Sequence, residues 1–86
     1  MTESLEIRRK RLRFRCWHRG TKELDLMIGR FADAHLAELQ AEQIGRLEAL
    51  LEVPEPILND WILGRRAPDP DHDHDVMRLL RAFNSP

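Results

Sequence analysis

Three stretches of this 86-residue chain carry residue types at spacings that chemistry could use. Cys16 and His18 have the types of a nucleophile and its base. On a helix, however, residues i and i+2 point about 200° apart, so the two would not meet, and Cys16 reads as a small core residue. Asp71-His72-Asp73-His74-Asp75 offers the imidazole and carboxylate groups that suit Zn²⁺ or Ni²⁺. His72 and His74 are again two apart, and neither His18 nor His35 has an evident reason to join them. The acids read better as complements to the positive end of a following helix. The third stretch, Arg19-Gly20-Thr21-Lys22-Glu23, is the one around which the chain is organised. Gly20 can start a helix, and Glu23 can reach back to its first amides as in a capping box. Arg19 and Glu23 would then stand on one helix shoulder as charges suited to recognition; a plain corner between helices would use the same residues. No Gly-rich phosphate loop and no Ser-His-Asp arrangement is evident, so neither catalytic residues nor a metal or cofactor site is expected.

Five helices are expected to position these groups. The first runs from about Ser4, its N-cap, to His18. Leu5, Leu12 and Cys16 share one face; Ile7 and Phe14 lie nearly opposite; Trp17 lies between, and basic residues fill the rest. The second follows Gly20 to about His35, with Leu24, Met27, Ile28 and Phe31 at i, i+3, i+4 and i+7. Gly29 inside it costs roughly 1 kcal/mol of helix propensity, which a close contact with another helix would explain. A third helix covers about Gln40 to Glu52, with Ile44, Leu47, Leu50 and Leu51 inward. Val53-Pro54-Glu55-Pro56 stops it, and Pro56 suits the first position of a short fourth helix. Trp61 reads as a core anchor of that helix, and Gly64 as its stop. Residues 65–70 form a linker. A last helix, about Asp73 to Asn84, presents Val76, Leu79, Leu80 and Phe83. No strand-like alternation occurs, so the fold class is all-α, a small five-helix bundle in one domain, 1–86.

Composition narrows what such a bundle can do. A chain of this length buries only about 60–65% of its unfolded surface, too little for an enclosed active site. The single cysteine excludes an internal disulfide and fits a reducing compartment. No run of about 20 apolar residues exists to span a membrane. The N-terminus lacks the apolar region of a signal peptide. Its arginines resemble a mitochondrial transit peptide, but Glu3 and Glu6 argue against one. A cytoplasmic location is expected. Net charge is −1, yet it divides unevenly: through Lys22 there are eight basic and two acidic residues, net +6, and the remainder is net −7. Such polarity can steer a partner or a nucleic acid.

Arg19-Gly20-x-x-Glu23, followed by Leu24-Asp25, resembles the signature of the SdhE family of flavinylation factors. A second block extends the resemblance: Leu50-Leu51-Glu52, Pro54-Glu55-Pro56, Asp60-Trp61-Ile62, Gly64 and Pro68. The similarity runs from about Arg8 to Phe83 without insertion, which leaves no presequence to remove. It implies a small five-helix bacterial protein that is not an enzyme. Such a protein binds the flavoprotein subunit of succinate dehydrogenase, and in some bacteria that of fumarate reductase. It assists covalent attachment of FAD to a histidine there, holding no cofactor of its own. By this resemblance Arg19, Gly20 and Glu23 carry the motif. The candidate partner-binding set is Arg15, Arg19, Gly20, Lys22, Glu23 and Asp25, with Arg19 and Glu23 as exposed charges. Two other readings stay open: a basic-helix nucleic-acid-binding module, with Phe14 and Trp17 stacking on bases, and an antitoxin-like regulatory interaction protein. The chain is expected to be a monomer or a weak homo-oligomer, with the Ile7–Phe14 stripe facing a client or a second copy.

Overall fold

Periodicity and caps together set the helices of the computed structural model, which describes residues 4–85. They are α1 (Leu5–Trp17), α2 (Lys22–His35), α3 (Ala41–Leu50), α4 (Glu55–Ile62) and α5 (Asp75–Phe83). Two 3₁₀ turns absent from the sequence reading, Leu36–Glu38 and Pro70–His72, extend the end of α2 and precede α5. Ser4 caps α1 as expected, its Oγ accepting from Ile7 N at 3.2 Å. At the start of α3 the Gln43 side chain reaches back to Gln40 N at 2.8 Å. α4 begins at Glu55, so Pro56 is its second residue rather than its first. The correction changes no energy, because no N–H in a first helical turn has an intrahelical partner. Gly64, at φ +75°, ends α4. Arg65 N donates to Asp60 O at 2.9 Å and Gly64 N to Trp61 O at 3.2 Å, the paired bonds of a Schellman stop.

α1 and α2 pack as a hairpin, α3 lies against α1 and α5, and α5 also meets α2 and α4. Between them Leu12, Cys16, Ile28, Phe31, Ile44, Leu47, Leu58, Trp61, Met77 and Leu80 close the core, with no polar residue buried among those described. The radius of gyration, 12.1 Å, matches the roughly 12 Å of a single globule of this length. Leu79 and Phe83, expected inward, stay exposed in part. Burial raises the Cys16 thiol to about 12, which fits a core residue and not a nucleophile. Gly29 is buried beneath the indole of Trp17: a methyl built on it would stand 2.3 Å from Trp17 Cδ2. The close contact expected there is thus made by a side chain at the end of α1.

The arginines of α1 have a use that charge counting does not reveal. Arg8 pairs with Glu48 at 2.6 Å and Arg15 with Glu52 at 2.9 Å, both reaching to α3 or its end. Arg9 donates to the carbonyls of Leu39 at 2.7 Å and Leu36 at 3.3 Å. Much of the basic segment therefore fastens α1 to the rest of the chain.

α5 opens on a titratable cap. His74 Nδ1 accepts from Met77 N at 3.1 Å, so the ring proton sits on Nε2, and a second proton would remove the acceptor. Desolvation lowers the His74 pKa from 6.5, against an opposing pull from Asp75. The fold therefore prefers the neutral ring, and the unfolded chain takes up protons first as the solution is acidified. Stabilisation present above pH 6.5 is lost as pH falls below it. The Asp75 pKa, lowered from 3.8 chiefly by the Gln43 amide, acts in a separate and more acidic window. Denaturant titrations from pH 8 to pH 5 should show a midpoint that declines below about pH 6.5. His74→Asn, a cap that does not titrate, should flatten that decline. A wild-type midpoint independent of pH would exclude this account.

Candidate functional site

The corner between α1 and α2 is built from the motif. Gly20 has φ +110°, a backbone region that side chains rarely adopt, and it precedes the helix instead of capping it. The expected Gly20–Glu23 capping box is therefore corrected. Thr21 is the cap, its Oγ1 accepting from Leu24 N at 3.4 Å, because glycine has no side chain to offer. The carboxylate that reaches back across the corner is that of Asp25, to which Arg19 N donates at 2.6 Å.

A second correction concerns Arg19, which is not an exposed charge. Its guanidinium turns inward to the corner between α3 and α4, donating to the carbonyls of Leu51 and, at 3.3 Å, Val53. These carbonyls lie just past the end of α3, where no helical N–H remains to serve them. Arg19 thereby fixes the chain immediately before Pro54 and Glu55.

The result is a groove between the first turns of α2 and α4, about 440 Å³ in volume. Its lining is Thr21, Lys22, Glu23, Leu24, Glu55, Pro56 and Asn59. Gly20 lets its two walls approach, since a methyl there would stand 3.1 Å from Glu55 Oε1. Lys22 and Glu23 are exposed at its rim. Asn59 Oδ1 is buried and accepts no hydrogen bond. Of the six candidate residues, Lys22 and Glu23 thus line the groove, and Gly20 lies close to Glu55 at its edge. Arg15, Arg19 and Asp25 are engaged within the chain. Glu55, Pro56 and Asn59 were missing from the candidate set. The signal for them was the second block of the family resemblance, which holds Pro54-Glu55-Pro56.

Elsewhere the chemistry is sparse. Trp61 is buried as expected, its indole beside His72 with ring centroids 5.5 Å apart. Among the described residues no three of His, Cys, Asp and Glu converge as a metal site. None of the described helices is long and apolar enough to cross a membrane.

A small helical bundle with a groove of mixed polar and apolar lining at a helix corner is the form of a protein-interaction module. Comparison with known proteins defines it further: residues 10–84 match the model of the family described as flavinator of succinate dehydrogenase, and the chain belongs to that family. It is 46% identical over 63 residues to the FAD assembly factor SdhE of Acetobacter pasteurianus, a match covering 73% of this chain and 58% of that protein. It is 30% identical over 76 residues to the protein of the same name from Coxiella burnetii, covering 88% and 92%. It is 36% identical over 84 residues to the mitochondrial succinate dehydrogenase assembly factor 2-B of Drosophila simulans, covering 92% of this chain. The chain thus spans little more than half the length of the Acetobacter and Drosophila relatives.

Proposed function

We propose that this chain is an assembly factor that binds the flavoprotein subunit of succinate dehydrogenase and promotes covalent attachment of FAD to it. Membership of the flavinator family over residues 10–84 carries this reading. The relatives' names support it, being FAD assembly factors and a succinate dehydrogenase assembly factor. The chain acts without catalysing the bond itself and holds no cofactor of its own, in the cytoplasm of a bacterium; the fumarate reductase flavoprotein is a second client.

The groove suits this task. A factor of this kind must bind one state of its client and then leave. A ligand raises the population of a minor state only by its differential affinity for that state. Glu23 and Lys22 on the rim pair with client groups that are correctly placed only in the competent conformation. Glu55 and Asn59 add acceptors, and Gly20 allows close approach of the client's backbone. Arg19 contributes by holding the α3–α4 corner that forms one wall.

Covalent flavin on the succinate dehydrogenase flavoprotein, read by in-gel fluorescence, tests the reading. Flavinylation should fall when this protein is removed and return with wild type. Glu23→Ala, an exposed substitution that leaves the fold intact, should restore at most about a tenth of it. Full flavinylation without the protein, or full rescue by Glu23→Ala, would refute the assignment or its site.

A further inference from the structure

The outward face of α1 remains unexplained by the groove. Ile7 is 54% and Phe14 65% exposed, and they lie two helical turns, about 10 Å, apart on one side. The Phe14 ring stacks on His18, centroids 4.0 Å apart and planes 17° from parallel, and His18 Nδ1 is hydrogen-bonded to Phe14 O at 2.7 Å. A flat aromatic surface is thus held in place in solvent, continuing the Ile7 side chain toward the motif corner. Lys10 and Arg11 flank it on the same helix.

We infer that this face is a second docking surface for the flavoprotein client, and that it meets an acidic surface with an apolar centre. The inference rests on the assembly-factor reading proposed above. Charge selects the occupant. The other large apolar residues exposed among those described are Leu63, Leu79 and Phe83. Two of them have arginine beside them: Arg65 and Arg66 follow Leu63, and Arg30 shares a surface depression with Phe83, whereas Arg78 beside Leu79 is paired with Asp73 at 3.5 Å. A second copy docking through its Leu63 or Phe83 patch would therefore set basic groups against Lys10 and Arg11, at a cost in like-charge repulsion. Nucleic acid is disfavoured by the inward use of Arg8, Arg9, Arg15 and Arg19, which leaves too small a basic field around the ring to follow a phosphate backbone. Continuity argues for the same client as the groove. His18 adjoins Arg19 and Gly20, so one partner lying along α1 reaches both surfaces.

The test is the dissociation constant of the full chain for the purified flavoprotein subunit, with Phe14→Glu and Ile7→Glu beside wild type and Glu23→Ala. Both substitutions fall at exposed positions, and unchanged thermal unfolding confirms an intact fold. Each should weaken binding at least tenfold, and raised salt should narrow the difference. Binding within twofold of wild type in both, while Glu23→Ala binds poorly, would overturn the second surface and leave the groove standing. No binding by wild type would overturn both. A concentration-dependent dimer abolished by Phe14→Glu, or retention on a single-stranded DNA oligonucleotide abolished by it, with client affinity unchanged, would assign the face to another occupant and overturn the proposal.

Discussion

Arg19→Ala should lower the stability of the fold by about 2 kcal/mol and its melting temperature by about 10 °C. The guanidinium serves two carbonyls, Leu51 and Val53, at the point where α3 gives way to α4. Truncation removes both donors, and the corner relaxes around whatever water can enter. Arg19→Lys should fall between the two, since an ammonium is a point donor without the planar fork that spans two acceptors. Client binding should drop with the same ranking, because the corner positions Glu55 across the groove from Glu23. Differential scanning calorimetry of the three proteins separates this role from direct contact. An unchanged melting temperature alongside lost binding would mean that Arg19 touches the client instead of holding the corner.

Gly29→Ala should destabilise by about 2 kcal/mol, although alanine is the better helix former by about 1 kcal/mol. The added methyl would stand 2.3, 2.6 and 2.7 Å from three ring carbons of Trp17, and a rigid indole cannot bend aside as a long chain can. Relief requires the ring to leave the α2 surface, losing its burial and the 3.3 Å bond from Nε1 to Asp33. A double-mutant cycle isolates the cause. In a Trp17→Ala background the same substitution should be neutral or stabilising by up to about 1 kcal/mol. Destabilisation of equal size in both backgrounds would mean that the crowding lies elsewhere.

The helices were legible because each writes its own pattern. Leu24, Ile28 and Phe31 repeat at the helical period and are buried as α2, and Gly64 stands where a left-handed stop is needed. The motif corner was legible as a place but not as a geometry. Gly20 and Thr21 are both acceptable caps, and only the backbone at φ +110° decides between them. The inward turn of Arg19 left no trace, since its acceptors are main-chain carbonyls 32 and 34 residues away. Arg8, Arg9 and Arg15 misled for the same reason. Counted along the chain they make a basic helix suited to steering or to phosphate, whereas in space each has an acceptor on or beside α3. Phe14 and Ile7 were read correctly as a stripe facing away from the core, because that statement depends on α1 alone.

The arginine ties also bear on the order in which the molecule can be completed on the ribosome. α1 and α2 emerge first and can pair as a hairpin early. Arg9 must wait for Leu39, Arg8 for Glu48, and Arg19 for Val53 to clear the exit tunnel. At typical elongation rates of about 5–20 residues per second, that leaves α1 incompletely fastened for some seconds. The corner that forms the groove wall is therefore among the later features to lock during synthesis, and a nascent chain cannot engage a client through it before α3 has docked.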